Sequence, residues 1–512
     1  MFYIVEKEDK LESLERLSKL GVYVDVIPTN NLYHPKLTTT VAVYIRLTGS
    51  QHGYIVPIDH DEGLNTTKER VSRILSSSSK VYTLNKKELL YHFNIQGAID
   101  LSLLYSMNKH NRLEYSRDTN IINQFYNKYS EFKDVNKLIP ISKLYESCES
   151  VYDQVKHIIE FKIPDNFDFY NKTATNVFYI IEQSGLGVYH KEYNELFKPR
   201  DPLFNTVDNT VLTSYNLYNV TSRPTNAFNS VNFAAIPKSE QHRKCFHPIG
   251  DYFVELDFDG YHLRLLCEQI EYPLSNESAH TQLAKNYFGT DKISEEQYLE
   301  AKQINFQAIY GKIPEEHKHL EIFQKIQKYI DDMWSTFEKD GVVYNTISNK
   351  AFTKSLKEMH PAKLMNYMMQ SLETARNILI LKEVLRYLQN KKTKLVLYTY
   401  DSFLFDFSKE DGKETLVKLQ EILETDGKYP IKVKYSKDMS NKLFCTFASE
   451  DTLEGVLEQI QGRYKIIYNK IFVLYSKSQD EYICTYNVDF DNIGTFLDNT
   501  ILVHRKKESN TL

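Results

Sequence analysis

The alternation of apolar and polar positions changes character three times along the chain. Residues 1–105 set short apolar runs, FYIV, VYVDVI, TTVAVYIRL, GYIVPI and KVYTL, between helical stretches such as KEDKLESLERLSKL. Runs of that length rich in β-branched and aromatic residues predict strands, and the helical spacing between them predicts an α/β unit around one sheet. The serine run at 76–79 predicts a loop. From about 106 to 250 helical spacing dominates, then gives way to turn-rich sequence around KPRDPLFNTVDNT, where Pro199 and Pro202 interrupt any regular element.

Residues 251–450 return to long helical patterns (EEQYLEAKQINFQAIYG, HLEIFQKIQKYIDDMWSTFEKD, AKLMNYMMQSLETARNILILKEVLRYLQ) interrupted by two very apolar β runs, DYFVELDF and KLVLYTYDSFLFDF. Beyond Glu450 the sequence predicts a helix over TLEGVLEQIQGRYKII, strands over KIFVLYS and EYICTYNV, and a charged mobile end, HRKKESNTL. No internal repeat interrupts this progression. The length of 512 residues accommodates about three domains.

Composition narrows the class. The chain has 63 Lys+Arg against 68 Asp+Glu, a net charge of −5, which excludes a histone-like basic wrapper. With 42% hydrophobic residues and few Gly and Pro, packed cores are expected rather than disorder. The 38 Tyr offer many surfaces for stacking on bases, although AT-rich codon usage explains them equally well. Five widely spaced Cys, never CxxC, predict reduced thiols in a cytoplasm-like compartment and no zinc site. An acidic N-terminus and the lack of a long apolar run predict neither export nor membrane insertion.

Two aspartates sit inside the apolar β runs: Asp257 in VELDFDGYHLRLL and Asp401 in LVLYTYDSFLFDF. A carboxylate there is costly unless it is paired or holds a cation. Either alone reads as a turn cap at a strand end. Together, on separate strands, they predict a shared divalent site, and hard oxygen ligands suit Mg²⁺, with two ions activating a hydroxyl and stabilising a leaving pyrophosphate. Between them Lys302, Phe306 and Tyr310 recur at helical spacing, with Gly311 as the stop. That face offers a cation for a triphosphate and two rings for a base. An amphipathic core stripe is the alternative.

These residues carry a family resemblance. DFDGYHLR, KQINFQAIYG and TYDSFLF resemble the three polymerase motifs of the family A DNA polymerases, the bacterial DNA polymerase I group. SRPTNAFNSVNFAAIP resembles the family's primer-template segment, SAHTQLAKNYFG its fingers segment, and LMNYMMQSL its minor-groove helix, all in the family's order over about 220–410. The resemblance implies an α/β and α+β multidomain chain: an exonuclease-like (RNase H-like) α/β domain at 1–150, an abbreviated helical thumb at 151–222, palm and fingers of a right-hand polymerase at 223–450, and an extension at 451–512. It implies a template-directed DNA polymerase adding dNTPs to a primer 3′ end, with two Mg²⁺ (or Mn²⁺) held by Asp257 and Asp401.

Position by position, it implies that Lys302 and His280 contact the triphosphate, Phe306 packs near the sugar and Tyr310 stacks at the insertion site. Arg264 secures the palm, Arg223 and Asn232 face the primer end, and Asn366 and Gln370 reach the minor groove. His262 stands where the family has a sugar-crowding Glu, Tyr400 and Ser402 flank Asp401 in place of His and Glu, and Tyr298 replaces an Arg one turn before Lys302. In the first domain the family's Asp-x-Glu is reduced to Asp25 followed by Val26 and Ile27, with Glu88 and Glu149 as further carboxylates, which implies a degenerate domain without proofreading. The short thumb implies reliance on local basic patches or on a replication partner, and the tail is expected to dock such a partner or cover the DNA exit side, an extra layer packed on the palm for stability being the alternative. Size and codon bias point to phage or viral DNA replication in a host cytoplasm. An inactive primer-template scaffold and a single-subunit RNA polymerase are the competing readings.

Overall fold

The computed structural model describes residues 2–5, 8–62, 65–117, 119–197, 206–226, 231–237, 240–310, 313–440, 443–446, 464–466, 473–476, 481–484 and 501–505. The chain divides into two compact units, the first formed by 1–185 with 194–234 and the second by 186–193 with 235–512. Among the described residues no helix is long and apolar enough to cross a membrane.

The first unit is built on six strands: β1 (Phe2–Ile4), β2 (Val22–Pro28), β3 (Thr40–Leu47), β4 (Gly53–Pro57), β5 (Val81–Thr83) and β6 (Ile99–Asp100). Their order is β1-β4-β3-β2-β5-β6, with β2, β3 and β4 antiparallel and β5 and β6 parallel to β2. All of β2 is buried, so both of its faces are covered. Val22, Val24 and Val26 join Val43, Ile45 and Leu47 in a core completed by Leu11 and Leu14 of α1 (Glu8–Leu17) and Ile74 and Leu75 of α2 (Lys68–Ser77). The alternate residues turn the other way, where Tyr23 and Tyr44 pack on Tyr152 and Tyr145 of α6 (Ile141–Val155). Helices α3 (Lys86–His92), α4 (Leu101–Lys109) and α5 (Asn120–Tyr129) each start on a capping side chain: Asn85, Asp100 and Thr119 accept from the backbone N–H three residues on.

Asp25 shares the Tyr23 face and is buried. Its carboxylate is gripped by both ends of the Arg117 guanidinium, at 2.5 and 2.7 Å. Burial pushes the nearby Glu88 carboxyl up to about 7, against the pull of Arg117. Glu149 bonds elsewhere: it accepts from Arg46 Nη1 at 2.7 Å and from the hydroxyls of Tyr44 and Tyr145. A side-chain cation thus already neutralises Asp25.

The second unit is organised by β7 (Tyr252–Phe258), β8 (Lys394–Thr399), β9 (Ser402–Phe407), β10 (Ile431–Ser436) and β11 (Leu443–Thr446). The tail adds β12 (Tyr464–Ile466), β13 (Val473–Ser476), β14 (Glu481–Cys484) and β15 (Ile501–Arg505), giving the antiparallel order β8-β9-β7-β10-β11-β15-β14-β13-β12. The tail strands therefore extend the sheet from its β11 edge. Most of the predicted tail helix lies outside the described residues, and its Tyr464–Ile466 stretch is strand. The last long helix of the first unit is α7 (Thr175–Glu182), and the longer helices of the second are α8 (Tyr261–Gln269), α9 (Ala279–Phe288), α10 (Glu295–Ile309), α11 (Glu321–Asp340), α12 (Pro361–Tyr387) and α13 (Lys413–Glu424). Of the cysteines, Cys148, Cys245 and Cys267 are buried free thiols.

Arg117→Met should leave Asp25 buried without its cation and destabilise the first unit by about 2–4 kcal/mol, the lower part of the range for breaking a buried pair because Arg117 keeps some exposure. Hydrogen exchange across β2 measures this. Asp25→Asn added to Arg117→Met should restore most of the protection, and no change in the single variant would refute the pairing.

Candidate active site

Two strands and one turn build the site. β7 is hydrogen-bonded on both sides, with Asp257 opposite Ser402 of β9 and Lys432 of β10. β8 and β9 form a hairpin closed by the Thr399–Ser402 pair, leaving Tyr400 and Asp401 as its turn. Tyr400 adopts φ +64°, a left-handed conformation that costs a non-glycine residue about 1 kcal/mol. Asn377 of α12 offsets that strain by donating to the Tyr400 carbonyl at 2.7 Å and to the Tyr398 hydroxyl at 2.8 Å. The Phe258 N–H then donates to the Asp401 carbonyl at 3.0 Å, adding the turn onto the end of β7. The two predicted aspartates become neighbours through this main-chain bond.

The pleat sorts the chemistry between faces. Leu256 and Phe258 look to the helices, where Phe258 stacks on Tyr261 with centroids 4.1 Å apart and the Arg376 guanidinium lies 3.5 Å from the Tyr429 ring centroid. Arg376 also donates to the Tyr261 hydroxyl at 3.0 Å, and Tyr261 donates to Asn377 at 2.5 Å. Glu255 and Asp257 take the other face with Lys432 and Lys434 of β10. Lys434 Nζ lies 2.6 Å from Asp257 Oδ2 and 3.0 Å from Glu255 Oε1. Burial works against the Lys434 charge, but these two acids outweigh it and raise its pKa. Lys432 instead pairs with Asp259 at 2.5 Å.

Asp401 exposes a face to solvent at the hairpin tip, yet the surrounding protein mass, then Asp257, then Glu373 push its carboxyl up to about 6. Glu373 is a third acid that the sequence reading missed. It is buried on α12, and its Oε1 lies 3.2 Å from His262 Nε2. The signal was present, since an acid inside the apolar LMNYMMQSLETA pattern invites the same question as Asp257.

Lys302 and Phe306 are exposed and Tyr310 is half-buried, with the Phe306 and Tyr310 rings in edge contact at 5.4 Å. The face is solvent-directed, not a core stripe. Gly311 lies outside the described residues. Ser294 caps α10 in a reciprocal capping box with Gln297. His280 is buried between α9 and α10, where Asn305 donates to its Nδ1 at 3.0 Å, and Tyr298 meets it edge-on at 6.1 Å. Burial lowers the His280 pKa to about 4, Asp259 opposes this, and Lys302 and Lys432 add to it. His280 thus senses both the Lys302 face and the acidic strand.

Arg264 is buried and donates to the carbonyls of Asp259, Ser275 and Glu277 at 3.0, 3.0 and 2.6 Å, stitching α8 to the segment before α9. Asn366 and Gln370 are half-buried on one face of α12, joined by a 2.9 Å bond. Arg223 and Asn232 belong to the first unit, Arg223 half-buried beside Asn219 and Asn232 exposed.

Among the described residues no cluster of three or more His, Cys, Asp or Glu is placed to hold a metal. Two adjacent carboxylates, one raised by the other, nevertheless suit Mg²⁺, which takes one or two protein carboxylates and fills its remaining sites from water and substrate phosphates.

The fold as a whole has a counterpart among solved structures. It is similar to the POL domain of Pol1 from M. smegmatis in complex with DNA primer-template and dNTP, at a TM-score of 0.62 over 85% of this chain and 99% of that one, with 12% identity. No protein-family model and no curated protein sequence matches the chain.

In metal-free buffer Asp401 should set a pH dependence of known sign. Its native pKa of about 6 exceeds the ordinary carboxylate value of about 4, so between these the native state holds a proton that the unfolded chain has released. Its contribution to stability therefore falls as pH rises from about 4 to about 6. Asp401→Asn should melt higher than wild type at pH 7, with the gap closing towards pH 4. A gap independent of pH would rule out the raised carboxyl.

Proposed function

We propose that the chain is a template-directed DNA polymerase that extends a primer 3′ end with dNTPs by two-metal nucleotidyl transfer, in phage or viral DNA replication in a host cytoplasm. The observation that carries this reading is the Phe258-to-Asp401 main-chain bond, which sets two carboxylates side by side on the sheet of a polymerase-like fold. Bound there, two Mg²⁺ or Mn²⁺ ions supply activation of the primer hydroxyl and charge stabilisation at the leaving pyrophosphate.

The chain's own residues do the rest. Lys302 draws in the triphosphate as a free-reaching cation, with neutral His280 beside it as a hydrogen-bond partner. Phe306 and Tyr310 give flat surfaces for sugar and base, and Tyr298, edge-on to His280, serves the same nucleotide. Arg264 fixes the turn that follows Asp257. His262, held by Glu373, borders the incoming sugar. Arg223, Asn232, Asn366 and Gln370 contact primer-template through donors that do not depend on base identity. In domain terms, 223–450 acts as palm and fingers, 151–222 as a short thumb, and 451–512 as an extension that contacts a replication partner. Residues 1–150 act as a degenerate exonuclease-like domain without proofreading, a reading supported by Arg117 on the Asp25 carboxylate and by Ile27 where a carboxylate would be needed.

One observation favours a second reading, an inactive primer-template scaffold: Lys434 already neutralises Asp257. Primer extension separates the two. Asp257→Ala and Asp401→Ala should each lose at least about 10³-fold in nucleotide addition while keeping most primer-template affinity. Lys302→Ala should raise the KM for every dNTP and lower kcat. An inert wild-type chain with dNTPs and Mg²⁺ would establish the scaffold, and extension with NTPs alone would identify an RNA polymerase.

Digestion of single-stranded primer by the wild-type chain should be undetectable. Metal-dependent digestion that disappears in Asp25→Ala would show that a rearranged exonuclease survives.

A further inference from the structure

The acids on the face of β7 turned away from the helices are not free. Antiparallel register sets Glu255 directly across from Lys434, and the period of two brings Asp257 one step diagonally along the same face. The Lys434 ammonium therefore lies between two carboxylates, at 2.6 Å from Asp257 and 3.0 Å from Glu255. Its neighbour Lys432 is engaged by Asp259, itself fixed by the Ala279 N–H at 3.2 Å. Lys432 is thereby committed, whereas Lys434 is shared.

A lysine suits such sharing because it is a point charge on a flexible stem, and moving between two acceptors costs it neither a planar fork nor a second bond. Asp257 keeps a quarter of its side-chain surface exposed, so solvent ions reach it. Glu255 is the more enclosed acid, at 11% exposure, and remains as a seat for the ammonium.

We propose that Lys434 is the resident counter-ion of Asp257, and that it withdraws onto Glu255 when a divalent cation takes the Asp257–Asp401 pair. The inference rests on the polymerase reading of that pair. Between turnovers the lysine neutralises an otherwise repulsive acidic face. During metal loading it competes with the ion, so its partition between Glu255 and Asp257 sets how much cation the site needs. No covalent or redox step is involved.

The test is direct binding of Mn²⁺ to the full-length protein without DNA or nucleotide, read as loss of the free-ion EPR signal. Asp257→Asn defines the site by abolishing the binding. Lys434→Gln should tighten Mn²⁺ binding by roughly 3- to 10-fold, the scale of losing one partly buried competing ion pair. Lys434→Arg, which keeps the charge and grips carboxylates with a fork, should weaken it, and stays informative if Lys434→Gln does not fold. Glu255→Gln should weaken binding more in the wild-type background than beside Lys434→Gln, because only a present lysine needs the alternative seat. Asp257-dependent binding that is unchanged in Lys434→Gln and in Lys434→Arg overturns the counter-ion role and leaves the polymerase reading standing. If no Asp257-dependent Mn²⁺ binding occurs and the wild-type chain does not extend a primer, both fall together.

Discussion

The candidate site depends on one main-chain hydrogen bond, from the Phe258 N–H to the Asp401 carbonyl. Strand pairing fixes Asp257, but Asp401 sits in a two-residue turn, and a turn tip has no ladder partner of its own. The bond to Phe258 supplies one, and it works only because Tyr400 is held in a left-handed conformation by Asn377. A side chain from the middle of a 27-residue helix thus sets the position of a carboxylate it never touches. Asn377 is fully buried, and its amide meets Tyr261, Tyr398 and Tyr400. Losing any one of these would leave a polar group unsatisfied in a dry interior, which gives the arrangement one stable geometry rather than several.

The same helix divides the labour of the sheet. Its buried face carries Arg376 and Asn377 against the aromatic side of β7, so Phe258, Tyr261 and Tyr429 close around a guanidinium instead of around hydrocarbon alone. With that side sealed, every acid of β7 must appear on the opposite side. Asp257 is therefore presented on the face turned away from the helices by the period of two, and Glu373, on the helix, adds to the negative potential at Asp401. Burial first, and then the nearby Asp257 and Glu373 carboxylates, disfavour the charged form of Asp401, which is why its pKa rises.

Much of this was readable from the chain. Strands form at all five apolar runs of residues 1–105, since β-branched residues there have no competing helical spacing, and Asp257 and Asp401 declared themselves as charges in apolar runs. The Lys302 face followed from helical spacing alone, although only coordinates could decide between solvent and core. What stayed hidden depends on pairing between distant segments. Nothing local to Arg117 says that it will reach Asp25, and no spacing rule joins Asn377 to Tyr400. Lys434 and Glu255 lie far apart in sequence, and their meeting is a property of strand register, which single-sequence patterns leave open.

Two central-strand aspartates, Asp25 and Asp257, face the same electrostatic problem and receive different answers. Asp25 is sealed, at 6% side-chain exposure, and takes both arms of an arginine whose planar fork matches a carboxylate. Such a pair resists replacement, because an incoming ion would have to break two charge-assisted bonds and leave a half-buried guanidinium without its acid. Asp257 is open, and its partner is a single ammonium divided with Glu255. An ion arriving there displaces one bond and leaves the lysine still paired. The difference between fork and point charge, and between closed and open acid, is sufficient to lock one aspartate into a two-bond pair and to leave the other reachable from solvent.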